Sequence, residues 1–236
     1  MRLNDPALVR QEYADEQGLA ARMAVQESAS GPDPYAVVFD AVAGCNPGRV
    51  LEVGCGRGEL AARMMRELDA RVVALDQSER MVELTRERGV EAIVGDVQEL
   101  PFRDATFDCV VAAWMLYHVQ DLNRALQEVR RVLKPAGRLV AATSSERNLA
   151  ELWRLVGEIG APADGFTAEN AEWPLLRHFT LVQRRDVRGT VTFPDHETAR
   201  RHIAAVPTRA AHAERLPFFQ GPLHASRRVA VFVCEP

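Results

Sequence analysis

The chain has 236 residues, 47% apolar and 26% charged, with a formal net charge of −4. This composition describes one soluble domain, long enough to bury a sizeable core without metals or crosslinks. The acidic balance argues against a dedicated nucleic-acid binder, which is usually basic. The longest apolar run, Cys109 to Tyr117, falls far short of the ~20 residues that span a bilayer, so no membrane partner is expected. The start, MRLNDPALVR, has no apolar stretch of the signal-peptide kind. Cys45, Cys55, Cys109 and Cys234 are too scattered for a disulfide framework or a C-x-x-C zinc pair. A cytoplasmic protein without a metal is the expectation. Charge is unevenly spread: Arg184 to Arg228 holds nine arginines against four acids, a local +5.

In chain order, Asp5-Pro6 reads as the N-cap and first position of a polar helical segment. Ser28 to Pro34 (SASGPDP) breaks the chain, and a short amphipathic stretch follows to Gly44. Val50–Val53 is an apolar run, and Glu59–Leu68 sets Leu60, Met64 and Leu68 at helical spacing. Arg71–Leu75 is a second run. Ser78 caps a helix carrying Met81, Val82 and Thr85 and ending at Gly89. Ala92–Val94 and Cys109–Ala113 follow as runs three and four. Asp121 opens a helix with Leu122, Leu126, Val129 and Leu133 on one face, and Pro135-Ala136-Gly137 turns into a fifth run, Leu139–Ala142.

Strands apolar on both faces, alternating with helices, predict a parallel α/β sheet covered on both sides over residues 48–143. Beyond Ser144 the pattern loosens. It predicts a helix through Leu149–Ile159, a bent strand or hairpin from Phe179–Val187 and Thr190–Phe193, a helix over 195–205 and a last strand at Arg228–Cys234.

The chemistry concentrates in Val50-Leu51-Glu52-Val53-Gly54-Cys55-Gly56-Arg57-Gly58, a strand running into three glycines at two-residue spacing and then a helix. Glycine permits positive φ and lets backbone approach a ligand closely. Such a ligand sits at the switch point of a doubly wound sheet, where Asp76, ending the next strand, can accept both hydroxyls of a ribose. A tight strand-to-helix turn alone would explain the glycines. Together with Asp76 they suit either a nicotinamide dinucleotide or S-adenosyl-L-methionine. The spacing separates the two. A dinucleotide fingerprint is G-x-G-x-x-G, whereas here the third glycine comes one residue early. Glu52 would also repel a pyrophosphate and suits a ligand bearing an ammonium and a sulfonium.

Residues 50–58 resemble the first motif of class I S-adenosylmethionine-dependent methyltransferases of the small-molecule kind. VVALDQS (Val72–Ser78) resembles the family's ribose-binding strand end. GDVQELPFRDATFDCVVA (Gly95–Ala112) resembles its adenine-contacting turn and fourth strand, and LKPAGRLV (Leu133–Val140) the turn into its fifth strand. Arg57, where Thr or Ser is frequent, and Ala136, where Gly is frequent, depart from the pattern.

The resemblance implies a doubly wound, seven-stranded, mostly parallel sheet. Residues 1–44 would be an N-terminal helical cap, 48–143 the cofactor core, and 144–236 the sheet completion, with insertions 144–176 and 194–226 as a substrate lid. It implies close backbone approach at Gly54 and Gly56, with Cys55 filling a small slot and Gly58 completing the loop. Glu52 would orient the loop and the cofactor's amino group, and Asp76 would take the ribose, with Gln77 and Met81 beside the adenine. Asp96 and the Val97 N–H would read the ring, and the Ala113 carbonyl would face the ammonium. Tyr13 and Arg22 would contact the methionine carboxylate. Bland readings stand beside three of these: Met81 as core, Asp96 as turn former, and Tyr13 and Arg22 on a solvated helix face.

After the fourth strand, Tyr117 and His118 are the catalytic candidates, His118 as a base for an acceptor hydroxyl or simply a packed histidine. The asparagine-proline-proline-aromatic motif of nucleobase methylators is missing there. The expected acceptor is therefore a small molecule, with an oxygen, nitrogen or carbon nucleophile, and with a carboxylate if the C-terminal arginines face the pocket. Two alternatives stay open: a non-catalytic cofactor-binding subunit and a nicotinamide-dependent oxidoreductase. Oligomeric state is not legible.

Overall fold

The computed structural model describes residues 4, 5, 9, 18–20, 23, 29–158 and 165–236. Most of the predicted N-terminal cap, including Tyr13 and Arg22, lies outside the described residues.

Strands β1 (Arg49–Val53), β2 (Arg71–Asp76), β3 (Glu91–Val94), β4 (Phe107–Ala113) and β5 (Leu133–Ser144) pair in parallel. Two antiparallel strands, β6 (Leu181–Phe193) and β7 (Leu223–Glu235), complete a seven-stranded sheet of order β3-β2-β1-β4-β5-β7-β6. The two-residue alternation along each central strand feeds a separate core on each face. Leu51, Val53, Val110 and Ala112 pack with Leu126 and Val129 of helix α4 (Leu122–Val132). Val50, Val72 and Val111 face the other way. They meet Val38 of α1 (Pro34–Ala43), Met64 of α2 (Glu59–Glu67) and Val82 of α3 (Glu79–Glu87). Helices therefore cover both sides, in a doubly wound, Rossmann-like α/β fold.

Helix starts obey the capping chemistry legible in the sequence. Ser78 accepts from the Met81 N–H at 3.3 Å, Asp121 from Arg124 at 2.9 Å and Asp195 from Thr198 at 2.7 Å. Asp195 opens α7 (His196–Ala204), while the helix expected through Leu149–Ile159 is α5 (Ala150–Leu155), and α6 (Glu172–Leu176) is a further short helix.

Two local expectations change. The turn expected at Pro135-Ala136-Gly137 is an irregularity within β5: Phe107 pairs with Leu133, but Cys109 already pairs with Arg138. Of the bent strand or hairpin expected around Gly189, the strand stands and the hairpin falls: β6 pairs with β7 without a break from Leu181–Glu235 to Phe193–Leu223. Gly189 stays in the ladder because Ser30 crosses it. Ser30 forms an isolated bridge to Thr190, and a Cβ on Gly189 would collide with the Ser30 carbonyl.

The far ends of β6 and β7 carry a third core. Val191, Phe193 and Ala225 pack with Leu152 and Trp153 of α5 and Ile203 of α7.

Candidate functional site

A cavity of about 350 Å³ opens where β1, β2, β4 and β5 end and β7 begins. This is the edge at which doubly wound sheets take their ligands.

β1 delivers the glycine loop. Gly54 has φ +67°, and a Cβ there would stand 2.6 Å from the Met115 Cβ. Gly58 has φ +78° and caps α2 in the left-handed conformation, so no other residue fits without strain. Asp76, at the end of β2, accepts from the Gly56 N–H at 2.9 Å and from the Ser78 N–H at 2.9 Å. Burial raises the Asp76 pKa, while the N–H groups of Ser78, Gly56 and Gln77 pull against that rise. Each carboxylate oxygen keeps acceptor capacity beyond its backbone bond.

Glu52 is 3% exposed, and its Oε2 is buried without a partner among the described residues. Burial, with the charges of Asp76 and Glu59 behind it, pushes its pKa up to about 8. Cys55 is buried too, and burial drives its thiol well above the ordinary range, so it is no nucleophile at neutral pH.

The loop after β4 forms another wall with Ala113, Trp114, Met115, Tyr117 and His118. Trp114 has φ +55°, and its ring lies 4.5 Å from that of Tyr35. The rings of Tyr117 and His118 stand 4.4 Å apart, edge to face.

Of the expected site residues, Glu52, Gly54, Cys55, Gly56, Asp76, Gln77, Val97, Ala113, Tyr117 and His118 all line this cavity. Gly58, Met81 and Asp96 do not. Gly58 backs onto Thr85, and Met81 is fully buried under α3. Both Asp96 oxygens accept from Gln98 Nε2, at 3.1 and 3.0 Å, the arrangement of a turn-forming Asp.

Further walls come from the segments after β5 and after β6. Ser144, Asn148, Leu149 and Trp153 contribute after β5, and His202 and Val206 from and just beyond α7. Among the other insertion aromatics, Phe166 is core, Trp173 and Phe218 are exposed, and Phe219 packs against the third core. Four of the C-terminal arginines do not line the pocket. Arg200 and Arg201 pair with Glu197, Arg215 is exposed, and Arg209 stacks on Trp153 at 4.3 Å. Arg227 lines it instead.

Tyr35 and Arg227 are among the lining residues that the sequence reading missed. Burial raises the Tyr35 hydroxyl pKa, with Tyr117 and Glu52 adding to the effect. The signal for Tyr35 was its position just inside the Asp33-Pro34 helix start. The signal for Arg227 was its inward phase between Ala225 and Val229.

These residues fit S-adenosylmethionine. The orphaned Glu52 oxygen suits an ammonium, Asp76 retains acceptor capacity for hydroxyls, and the Gly54 and Gly56 backbone lies bare at the cavity. Among the described residues, no group of three or more His, Cys, Asp or Glu could hold a metal, and no helix is long and apolar enough to cross a membrane.

Comparison with known proteins gives the same answer. A family described as a methyltransferase domain matches residues 51–141. A malonyl-[acyl-carrier protein] O-methyltransferase of Serratia marcescens is 30% identical over 197 residues, covering 78% of this chain and 72% of that protein. The 27-O-demethylrifamycin SV methyltransferase of Amycolatopsis mediterranei is 37% identical over 125 residues, 48% of this chain and 46% of that one. A solved S-adenosylmethionine-dependent methyltransferase from Thermotoga maritima shares the fold, with TM-score 0.61, 20% identity, and coverage of 97% and 98%. The nicotinamide alternative falls, and S-adenosylmethionine is the cofactor. The chain belongs to the class I S-adenosylmethionine-dependent methyltransferases.

Proposed function

We propose that Glu52, Gly54, Gly56, Asp76, Gln77, Val97 and Ala113 hold S-adenosylmethionine, and that a small organic acceptor lies against Trp153, His202, Val206 and Arg227. Glu52 carries the reading. A buried carboxyl with an unpartnered oxygen in a cavity costs free energy unless a cation completes it, and the cofactor brings an ammonium.

When bound, the cofactor supplies a methyl group on a sulfonium, with a neutral thioether as leaving group. The chain contributes alignment and exclusion of water. Asp76 accepts the ribose hydroxyls while holding the glycine loop, and the Ala113 carbonyl shares the ammonium with Glu52. His118 takes a proton where the acceptor atom is a hydroxyl, and Tyr117 orients the imidazole ring.

Residues 144–176 and 194–222 act as the lid over the acceptor, with 1–44 as the N-terminal cap and 48–143 as the cofactor core. The upper limit of the second insertion moves because β7 starts at Leu223. Leu149, Trp153, His202 and Val206, all from these insertions, support that assignment. The relatives' names cite different acceptors, malonyl on a carrier protein and a rifamycin. The acceptor here is therefore assigned only as an oxygen, nitrogen or carbon nucleophile.

A screen of hydroxylated, aminated and carboxylated small molecules for S-adenosylhomocysteine release by the isolated chain tests this. Turnover distinguishes an enzyme from a cofactor-binding subunit. Tight cofactor binding with no turnover on any class would overturn the catalytic reading.

A further inference from the structure

Arg227, on β7, is 3% exposed and lines the cavity. Its guanidinium is charged at any working pH, and burial of such a charge is costly unless its donors and its charge are matched. The donors are matched only in part. Nη2 donates to the Ser30 carbonyl at 3.2 Å and the Pro32 carbonyl at 2.6 Å, both neutral acceptors. Nε is buried and has no partner among the described residues.

Among the described residues, the charge is not matched by contact either. The acid acting on Arg227 is Asp33, whose side chain caps α1 by accepting the Tyr35 N–H at 3.0 Å. Burial accordingly draws the guanidinium's pKa down.

The topology sets this cation apart from the cofactor's acids. Strands β4 and β5 lie between β1 and β7, so Arg227 stands about 14 Å across the sheet from the strand of Glu52. Ser144, the last residue of β5, pairs with Val229, so Arg227 lies two residues beyond that end, over the ligand edge. Asn148 and Leu149 run alongside it, through bonds from Arg228 N to Asn148 Oδ1 and from Leu149 N to Ser226 O.

We propose that Arg227 reads a carboxylate carried by the methyl acceptor, through its buried charge and the guanidinium nitrogens that Ser30 and Pro32 do not engage. The proposal rests on the cofactor occupying the Glu52–Asp76 end. A single negative charge fits better than a phosphate dianion. Among the described residues, the other guanidinium lining the cavity, Arg57, is already paired with Glu59 at 3.0 Å, so one unmatched cation is offered.

The test uses the full chain, 15N-labelled at arginine and saturated with S-adenosylhomocysteine. Acetate, butyrate and hexanoate are titrated while the Arg227 Nε–H signal is followed, assigned by its loss in Arg227→Lys. The corresponding primary amides serve as neutral controls of the same shape. The expected result is a saturable shift with carboxylates and at least tenfold weaker binding of the amides. Arg227→Gln should bind the carboxylates at least tenfold more weakly, with S-adenosylhomocysteine affinity within twofold of the parent.

If no carboxylate moves the signal, if amides bind as well, or if Arg227→Gln binds carboxylates normally, Arg227 is a clamp on Ser30–Pro32 and the proposal is overturned. The wild-type titration stands even if the Gln variant fails to fold. Failure of S-adenosylhomocysteine itself to bind would overturn the cofactor reading instead, so the two failures are distinguishable.

Discussion

The Asp76 carboxylate accepts the Gly56 N–H at 2.9 Å, so the acid ending β2 holds the glycine loop that follows β1. One side chain thus shapes the loop and keeps acceptor capacity at the cavity. Because its other oxygen takes the Ser78 N–H, it also fixes the start of α3.

Asp76→Ala is therefore expected to cost more than a ligand contact. Hydrogen bonds to a charged group are worth roughly 1.5–3 kcal/mol each. S-adenosylhomocysteine affinity should fall at least about a hundredfold by titration calorimetry, with a lower melting temperature in the unliganded protein. Parent-like affinity would remove Asp76 from the binding site.

Glu52 predicts a pH dependence of both stability and binding. Its folded pKa of about 8 lies above the unfolded value of about 4.3. The folded chain thus holds this proton more tightly. Its contribution to stability is complete below the unfolded pKa and is lost as pH rises through about 8. Glu52→Gln should flatten that decline in urea unfolding between pH 5 and 8. Cofactor binding near pH 7 should also release up to one proton, as the ammonium favours the carboxylate. Calorimetry in buffers of different ionisation heat measures it, and an equal release in Glu52→Gln would refute the assignment.

Gly58→Ala and Gly157→Ala form a matched pair. Both glycines have positive φ, +78° and +81°, but only Gly58 has close neighbours, with Thr85 Oγ1 2.6 Å from an added Cβ. The conformational strain alone costs roughly 1–2 kcal/mol. Gly157→Ala should lose about that much in urea unfolding. Gly58→Ala should lose clearly more, since Thr85 must shift as well. Equal losses would mean that the contact is relieved without cost.

His118→Ala should lower turnover on a hydroxyl acceptor about 10²–10⁴-fold, leaving S-adenosylhomocysteine affinity within about twofold. Unchanged turnover at saturating acceptor between pH 6 and 9 would leave His118 as a packing residue against Tyr117.

The part of the cavity wall proposed for the cofactor was legible because its signals are local. Three glycines, an acid at a strand end and a capping serine each act within a few residues of where they are read. The acceptor half was not. Arg227 faces inward only because Ala225, Arg227 and Val229 share one side of β7, and the sequence suggested a strand only from Arg228. Gly189 split one strand into two apparent runs because the reason for it, Ser30, lies far away in the chain. Whether Arg200 and Arg201 face the pocket or solvent was open in the sequence, and Glu197, one turn back on the same helix, engages both. Local chemistry is written in the sequence, whereas partners brought from a distance are not.

The strand order has a consequence for synthesis on the ribosome. β7 lies between β5 and β6 yet emerges after both. Until Leu223–Glu235 is made, β6 has no neighbour to join, and β5 presents an open edge of unpaired backbone groups. The nascent chain therefore carries an exposed strand edge through the translation of all the residues between β5 and β7, and this is the interval in which it is most vulnerable to pairing with another chain.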